Sequence, residues 1–189
     1  MMTPEEVLQK FRETGALLEG HFILRSGLHS RQFFQCAHLL QYPALSEQLC
    51  AELAARAEQI GADEVISPAM GGILVGHDVA RYFGRKHIFA EKHEGRLALR
   101  RFAIKPGTRF LVCEDVVTTG SAVNEVCQIV RDAGAVVAAV LCIVDRSGDQ
   151  TPDFGAPFIS LLKLKVETFA ADQIPADLQK IPAHKPGSK

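Results

Sequence analysis

Glu114 and Asp115 stand side by side, and Val116, Val117, Thr118, Thr119, Gly120, Ser121 and Ala122 follow them directly. Carboxylates accept hydrogen bonds from sugar hydroxyls and contribute oxygens to Mg2+. The three hydroxyl side chains and the glycine precede a helix-like stretch, Asn124 to Asp132. A turn that opens a helix aims unpaired backbone N–H groups and the positive end of the helix dipole at whatever lies in front of it, so it is a phosphate site. Gly120 permits close backbone approach, and Thr118, Thr119 and Ser121 add donors. Carboxylates pointed at that phosphate would repel it. The acidic pair must therefore face another part of the same ligand, and a phosphorylated sugar satisfies both ends. No Gly-x-Gly-x-x-Gly follows a strand and no Gly-Lys-Ser/Thr is present, which argues against dinucleotide redox chemistry and P-loop hydrolysis.

The elements that position these residues follow from periodicity. The apolar run Phe110 to Cys113 precedes the acidic pair as a buried strand. The spacing predicts strands over Glu64–Ser67, His87–Glu91, Arg109–Glu114 and Val136–Asp145, with helices over Gly72–Phe83 and Ser121–Ala133 between them. Strands apolar on successive residues belong to a parallel sheet covered on both faces, so the fold class is α/β. Right-handed crossovers bring Pro68–Gly72, the segment after Glu91, Glu114–Ala122 and Asp145–Ser147 to one edge. Upstream, Thr3 and Glu6 form a capping box with Pro4 at the first helical position, predicting a helix to Gly15. A hairpin is expected over residues 21–36 around Ser26 and Gly27, and a helix over Pro43–Ile60. Residues 92–105 read as a lid or ribbon, Phe158–Val166 as a late strand and Ala183–Lys189 as a mobile tail.

The chain has 189 residues, 47% of them hydrophobic, and no low-complexity linker, so residues 1–189 are expected to form one domain. The 21 basic and 22 acidic residues leave a net charge of −1, which gives no global attraction to nucleic acid or membrane. Local charge is uneven: Arg81, Arg85, Lys86, Lys92, Arg96, Arg100, Arg101, Lys105 and Arg109 crowd one segment, which an anionic substrate explains better than a polymer. Cys36, Cys50, Cys113, Cys127 and Cys142 lack Cys-x-x-Cys spacing and read as buried thiols in a reducing compartment. The acidic N-terminus carries no apolar stretch of signal length and no run is long enough to span a bilayer, so a cytoplasmic location is expected.

The segment Val112 to Ala122 resembles the phosphoribosyl pyrophosphate (PRPP) motif of type I phosphoribosyltransferases. That resemblance implies a central, mostly parallel sheet flanked by helices, with a small N-terminal hood at about 15–40, a PRPP core at about 62–147, a C-terminal strand and tail at 156–189 and a flexible basic lid. It implies PRPP binding by Glu114 through Ala122, with Glu114 and Asp115 on ribose hydroxyls and Thr118 to Ala122 on the monophosphate. Mg2+ is the implied cofactor, held mainly by PRPP and near Asp115. In the resembled enzymes a turn like Ser67–Gly72 holds pyrophosphate, although Met70 and Gly71 stand where many relatives carry a basic side chain. Lys92 matches the family's lysine after the strand and is expected to bind pyrophosphate. Lys92, Asp115 and Arg100 are the expected catalytic residues. For Arg100 and Arg101 a solvated hairpin face is the competing reading. A homodimer sharing the lid is implied.

The acceptor is narrowed by a further resemblance, to orotate phosphoribosyltransferases. Phe22, Ile23, Leu24, Arg25, Ser26 and Gly27, followed by Ser30, Phe33 and Phe34, are similar to that family's hood. There Arg25 would meet phosphate or the orotate face and Phe34 would wall the ring; apart from the resemblance, Phe33 and Phe34 read as core aromatics. Arg146 matches the arginine that contacts orotate, where its planar fork suits a carboxylate or imide edge; an ion pair with Asp145 or Asp149 is the alternative. Thr118 matches a position touching both base and phosphate loop. The implied activity is conversion of orotate and PRPP to orotidine 5'-monophosphate and pyrophosphate, in UMP synthesis. The alternatives are transfer to another nucleobase and a PRPP-sensing regulator that binds nucleic acid.

Overall fold

The computed structural model describes residues 2–24 and 26–186. Helix α1 (Pro4–Glu13) carries the expected capping box, in which the Thr3 side chain accepts from the Glu6 N–H and the Glu6 side chain accepts from the Thr3 N–H. Gly15 follows with φ 68°, the left-handed backbone that a helix stop requires. Strands β1 (Leu17–Ile23) and β2 (His29–Phe34) form the anticipated antiparallel hairpin. A short helix α2 (Cys36–Leu40), which the sequence pattern did not disclose, leads into α3 (Pro43–Ala55). Helix α3 stops short of the expected Ile60: Arg56 is its C-terminal cap and sends its guanidinium to the carbonyl of Ser160 at 2.8 Å.

The core then alternates β3 (Glu64–Pro68), α4 (Gly71–Phe83), β4 (Lys86–His93), β5 (Arg96–Ala98), β6 (Arg109–Val117), α5 (Ser121–Asp132), β7 (Val136–Asp145) and β8 (Phe158–Lys163). These strands make a six-stranded sheet in the order β5-β4-β3-β6-β7-β8, parallel except for the edge strand β5. Burial on both faces is visible residue by residue in the middle strands. Leu111, Cys113, Ala139, Leu141 and Ile143 point to the side covered by α1 to α4. Phe110, Val112, Val140 and Cys142 point to the side covered by α5. That division is why β6 and β7 read as continuous apolar runs.

The tail is not loose up to His184. Strand β9 (Thr168–Phe169) joins β2, extending the hood to three strands in the order β1-β2-β9. A single 3-10 turn follows at Leu178–Lys180, and His184 then bridges Phe22, with its N–H donating to His21 O and its carbonyl accepting from Ile23 N–H, at 2.8 and 2.9 Å. The chain expected to be mobile from Ala183 is thus paired at His184, and residues 187–189 lie outside the description. Strand β8 completes the core sheet, while residues beyond it strap the hood.

Candidate functional site

Strand β4 lies on one side of β3 and strand β6 on the other, so the chain reverses direction of travel across the sheet between β3 and β6. In an open parallel sheet such a switch point leaves a crevice beyond the strand carboxyl ends, flanked by the loops that diverge there. The loops concerned are the Ala69–Met70 turn and the Thr118–Gly120 turn, the two segments singled out by their composition.

The Thr118–Gly120 turn has the properties of an anion cradle. Gly120 is the N-cap of α5, with φ 75°, and supplies no side-chain cap. Its carbonyl accepts from the Asn124 N–H at 2.8 Å, so the N–H groups before Asn124 lack partners within the helix. Thr118, Thr119 and Ser121 are exposed, while Gly120 is buried. A Cβ at Gly120 would lie 2.8 Å from Pro152 Cγ and 3.0 Å from Phe154 Cε1, so the loop after β7 buttresses the cradle from behind. The last turn of α5 completes the support, Arg131 donating to the carbonyl of Phe154. The turn and the end of β6 enclose a cavity of about 110 Å3 lined by Glu114 and Val116 to Val123. Cavity size alone would mislead, since one of about 150 Å3 lies among Glu58, Glu64, Phe83 and Arg85, away from the crevice.

The acidic pair continues β6 rather than ending it, as the strand runs to Val117. Successive strand residues point to opposite faces, and the two carboxyls accordingly differ. Glu114 is 9% exposed. Its Oε1 accepts from the Asp115 N–H at 3.0 Å and lies against the start of α4, where a Cβ at Gly72 would come 3.0 Å from it. Burial, and then the neighbouring charge of Asp115, push its pKa from 4.5 up to about 9, so Glu114 is a neutral acid at pH 7. Asp115 is partly exposed and packs on Gly71, where a Cβ would lie 2.5 Å from its Cγ. Two adjacent glycines thus let the start of α4 seat directly on the acidic pair, a contact that the Gly71-Gly72 doublet alone could have suggested.

Arg146 follows β7 and comes to the same edge, its N–H donating to Val117 O at 2.8 Å. Neither ion pair suggested for it forms: Asp145 accepts from Ser147 and lies 3.7 Å from Lys163 Nζ, and Asp149 pairs with Lys165. The Arg146 guanidinium instead lies 5.2 Å from the centroid of the Phe34 ring. Its Nε is buried with no hydrogen-bond partner among the described residues, and burial lowers its pKa. An arginine fork held against an aromatic face with an open donor suits a planar anion. Phe33, by contrast, packs against Phe22 with ring centroids 5.8 Å apart. Arg25 lies outside the described residues.

The basic ribbon is a hairpin. Lys92 pairs with Leu97 and His93 with Arg96 around Glu94 and Gly95. Its base is anchored, because Leu97 is buried and its N–H donates to Glu125 Oε2 at 2.8 Å. Arg101 is committed to Glu91 at 3.1 Å, while Lys92 and Arg100 are exposed and form no ion pair among the described residues. Nor do three or more His, Cys, Asp or Glu side chains converge on a metal position among those residues. The Glu114–Asp115 pair alone offers too few ligands to hold a divalent cation, which fits one carried chiefly by a phosphorylated ligand.

A profile of the phosphoribosyl transferase domain matches residues 38–172. Over 189 residues the chain is 47% identical to an orotate phosphoribosyltransferase of Desulforamulus reducens, covering 100% of this chain and 98% of that protein. It is 49% identical over 189 residues to one from Pelotomaculum thermopropionicum, covering 100% of this chain and 99% of that protein. The chain belongs to the phosphoribosyltransferases and, among them, to the orotate phosphoribosyltransferase family. Fold similarity by itself does not separate acceptors. The crystal structure of orotate phosphoribosyltransferase from Aeropyrum pernix matches with TM-score 0.65 at 23% identity, covering 83% of this chain and 93% of that one. That of adenine phosphoribosyltransferase from Thermoanaerobacter pseudethanolicus matches with TM-score 0.64 at 19% identity, covering 70% of this chain and 88% of that one.

Proposed function

We propose that the chain transfers ribose 5-phosphate from PRPP to orotate, giving orotidine 5'-monophosphate and pyrophosphate in UMP synthesis, by the following division of labour. The Thr118–Ala122 turn takes the 5-phosphate on its N–H groups and hydroxyls, while Asp115, backed by Glu114, takes the ribose hydroxyls. The Pro68–Gly72 turn, Lys92 and Arg100 take the pyrophosphate. Phe34 and Arg146 hold the base with Thr118, and Arg25 is assigned to the same ligand.

As the bond from the anomeric carbon to pyrophosphate breaks and that to the ring nitrogen forms, the sugar gains oxocarbenium character and negative charge gathers on the leaving group. Lys92 and Arg100 stabilise that charge, and Asp115 holds the sugar in line with the acceptor. Mg2+ brought in by PRPP would neutralise further charge on pyrophosphate, and Asp115 is the residue that would help hold it. The working protein is a homodimer whose lid serves the neighbouring site; sedimentation as a monomer at assay concentrations would overturn that part. The five buried, unbridged thiols fit a reducing cytoplasm.

The observation that carries the choice of acceptor is Arg146, half-buried, without a carboxylate partner among the described residues and stacked on Phe34 beside the phosphate cradle. Pyrophosphate release from PRPP with orotate, uracil, adenine or xanthine tests it: orotate is expected to be the preferred acceptor. Turnover with a neutral base and none with orotate would refute the assignment.

A further inference from the structure

Ser67 is wholly buried at the end of β3, one residue before the turn that opens α4. A buried hydroxyl needs a partner, and Ser67 Oγ finds one in His87 Nε2 at 2.8 Å, across the β3–β4 pairing. The imidazole also underlies α4. A Cβ at Gly76 would lie 2.5 Å from His87 Nε2 and 2.8 Å from its Cδ2, so the helix backbone rests on the ring and only glycine fits there. One helical turn earlier, Gly72 rests on Glu114 in the same manner. Helix α4 is therefore located by two side chains beneath two glycines: Glu114 at its first turn and His87 at its second. His87 further belongs to β4, the strand that continues to Lys92.

We propose that His87 is a positioning residue for the pyrophosphate end of the site, fixing the turn at residues 68–72 through Ser67 and through the seat of α4 on its ring. The proposal rests on the assignment of that turn to pyrophosphate. His87 touches no substrate; it links the strand that carries Lys92 to the strand that delivers the backbone donors, so the two parts of the pyrophosphate site keep one spacing. Burial, with His77 nearby, lowers its pKa to about 4, so the ring stays neutral at pH 7, and its Nε2 can accept from the Ser67 hydroxyl or donate to it according to the tautomer.

His87→Phe keeps a ring beneath Gly76 and removes the bond to Ser67, Ser67→Ala removes the same bond from the other side, and His87→Gln retains a polar group near the Nε2 position. Loss of one such bond is expected to raise the KM for pyrophosphate, in the reverse reaction with orotidine 5'-monophosphate, about tenfold. The KM for orotidine 5'-monophosphate should stay within about twofold, and His87→Gln should recover most of the loss. The double variant Ser67→Ala/His87→Phe should be no worse than either single one, since both delete one interaction.

Equal changes in both KM values, or additive single effects, would overturn the proposal. Amide hydrogen exchange separates it from its premise. If magnesium pyrophosphate leaves the amides of residues 69–73 unprotected in the wild type, the pyrophosphate assignment fails. If it protects them equally in wild type and His87→Phe, the assignment stands and the positioning role of His87 falls.

Discussion

Half-buried Arg146 and buried Glu114 are ionisable residues beside one crevice, and their surroundings give them opposite states. Arg146 keeps an open donor against an aromatic ring, a desolvated position that is favourable only once an anion arrives. Arg146→Ala is expected to lower kcat/KM for orotate by about 10- to 100-fold, the range for losing charge-assisted hydrogen bonds, while leaving the KM for PRPP nearly unchanged. Steady-state kinetics with each substrate varied in turn would check this, and an unaltered orotate KM would misplace the base site.

Glu114 keeps its proton in the fold up to about 9, against 4.5 for a free carboxyl, so across that window the unfolded chain has released a proton that the native chain holds. Native stability therefore falls as pH rises through it. Glu114→Gln removes that dependence, and the melting temperature of the variant should gain on the wild type between pH 5 and pH 8.5. A gap that does not vary with pH would show that Glu114 is ionised.

At the scale of elements, the site depends on helices opening where two strands diverge, and on glycines that let backbone and side chains meet. Gly120 combines a positive φ with contact to Pro152 and Phe154. Gly120→Ala should cost about 1–3 kcal/mol from backbone strain and overpacking together. It should also raise the KM for PRPP, because the phosphate donors move with the turn. Thermal melts and PRPP titrations would register both, and an unchanged melt would mean that the loop after β7 yields freely.

His87 sets a second pH limit on the same elements. Its pKa lies near 4 in the fold, below the ordinary 6.5, so the stability tied to the neutral ring is present above pH 6.5 and is lost as pH falls toward 4. His87→Gln should flatten that acid-side loss in melts taken between pH 6.5 and pH 4. An acid limb identical to that of the wild type would exclude His87 as its source.

At the scale of the whole molecule, the two chain ends build the hood together. Arg31 pairs with Asp177 and stacks on Phe169, Ser30 Oγ donates to Glu167 O at 3.1 Å, and His21 Nδ1 lies 2.9 Å from Ile181 O. Since Phe34 ends the strand so strapped, truncation after Leu164 should free β1 and β2 to exchange amide hydrogens faster and raise the orotate KM more than the PRPP KM. Unchanged exchange in residues 17–34 would show that the hairpin stands without the strap. Among the described residues, no helix is long and apolar enough to cross a membrane.

Local chemistry was enough to mark the acidic pair, the hydroxyl turn, the strand and helix alternation and the sheet edge on which the loops gather, because each depends on near neighbours in the chain or on the hand of βαβ crossovers. Resemblance carried the choice of Arg146 and Phe34. Only the folded chain decided that Arg146 forms no ion pair among the described residues, that Glu114 turns toward Gly72 while Asp115 stays partly open, that Pro152 and Phe154 brace Gly120, and that the tail returns to the hood. These are contacts between residues distant in sequence, whose partners no periodicity can name, and burial in such contacts is what sets the charge state of each acid and base.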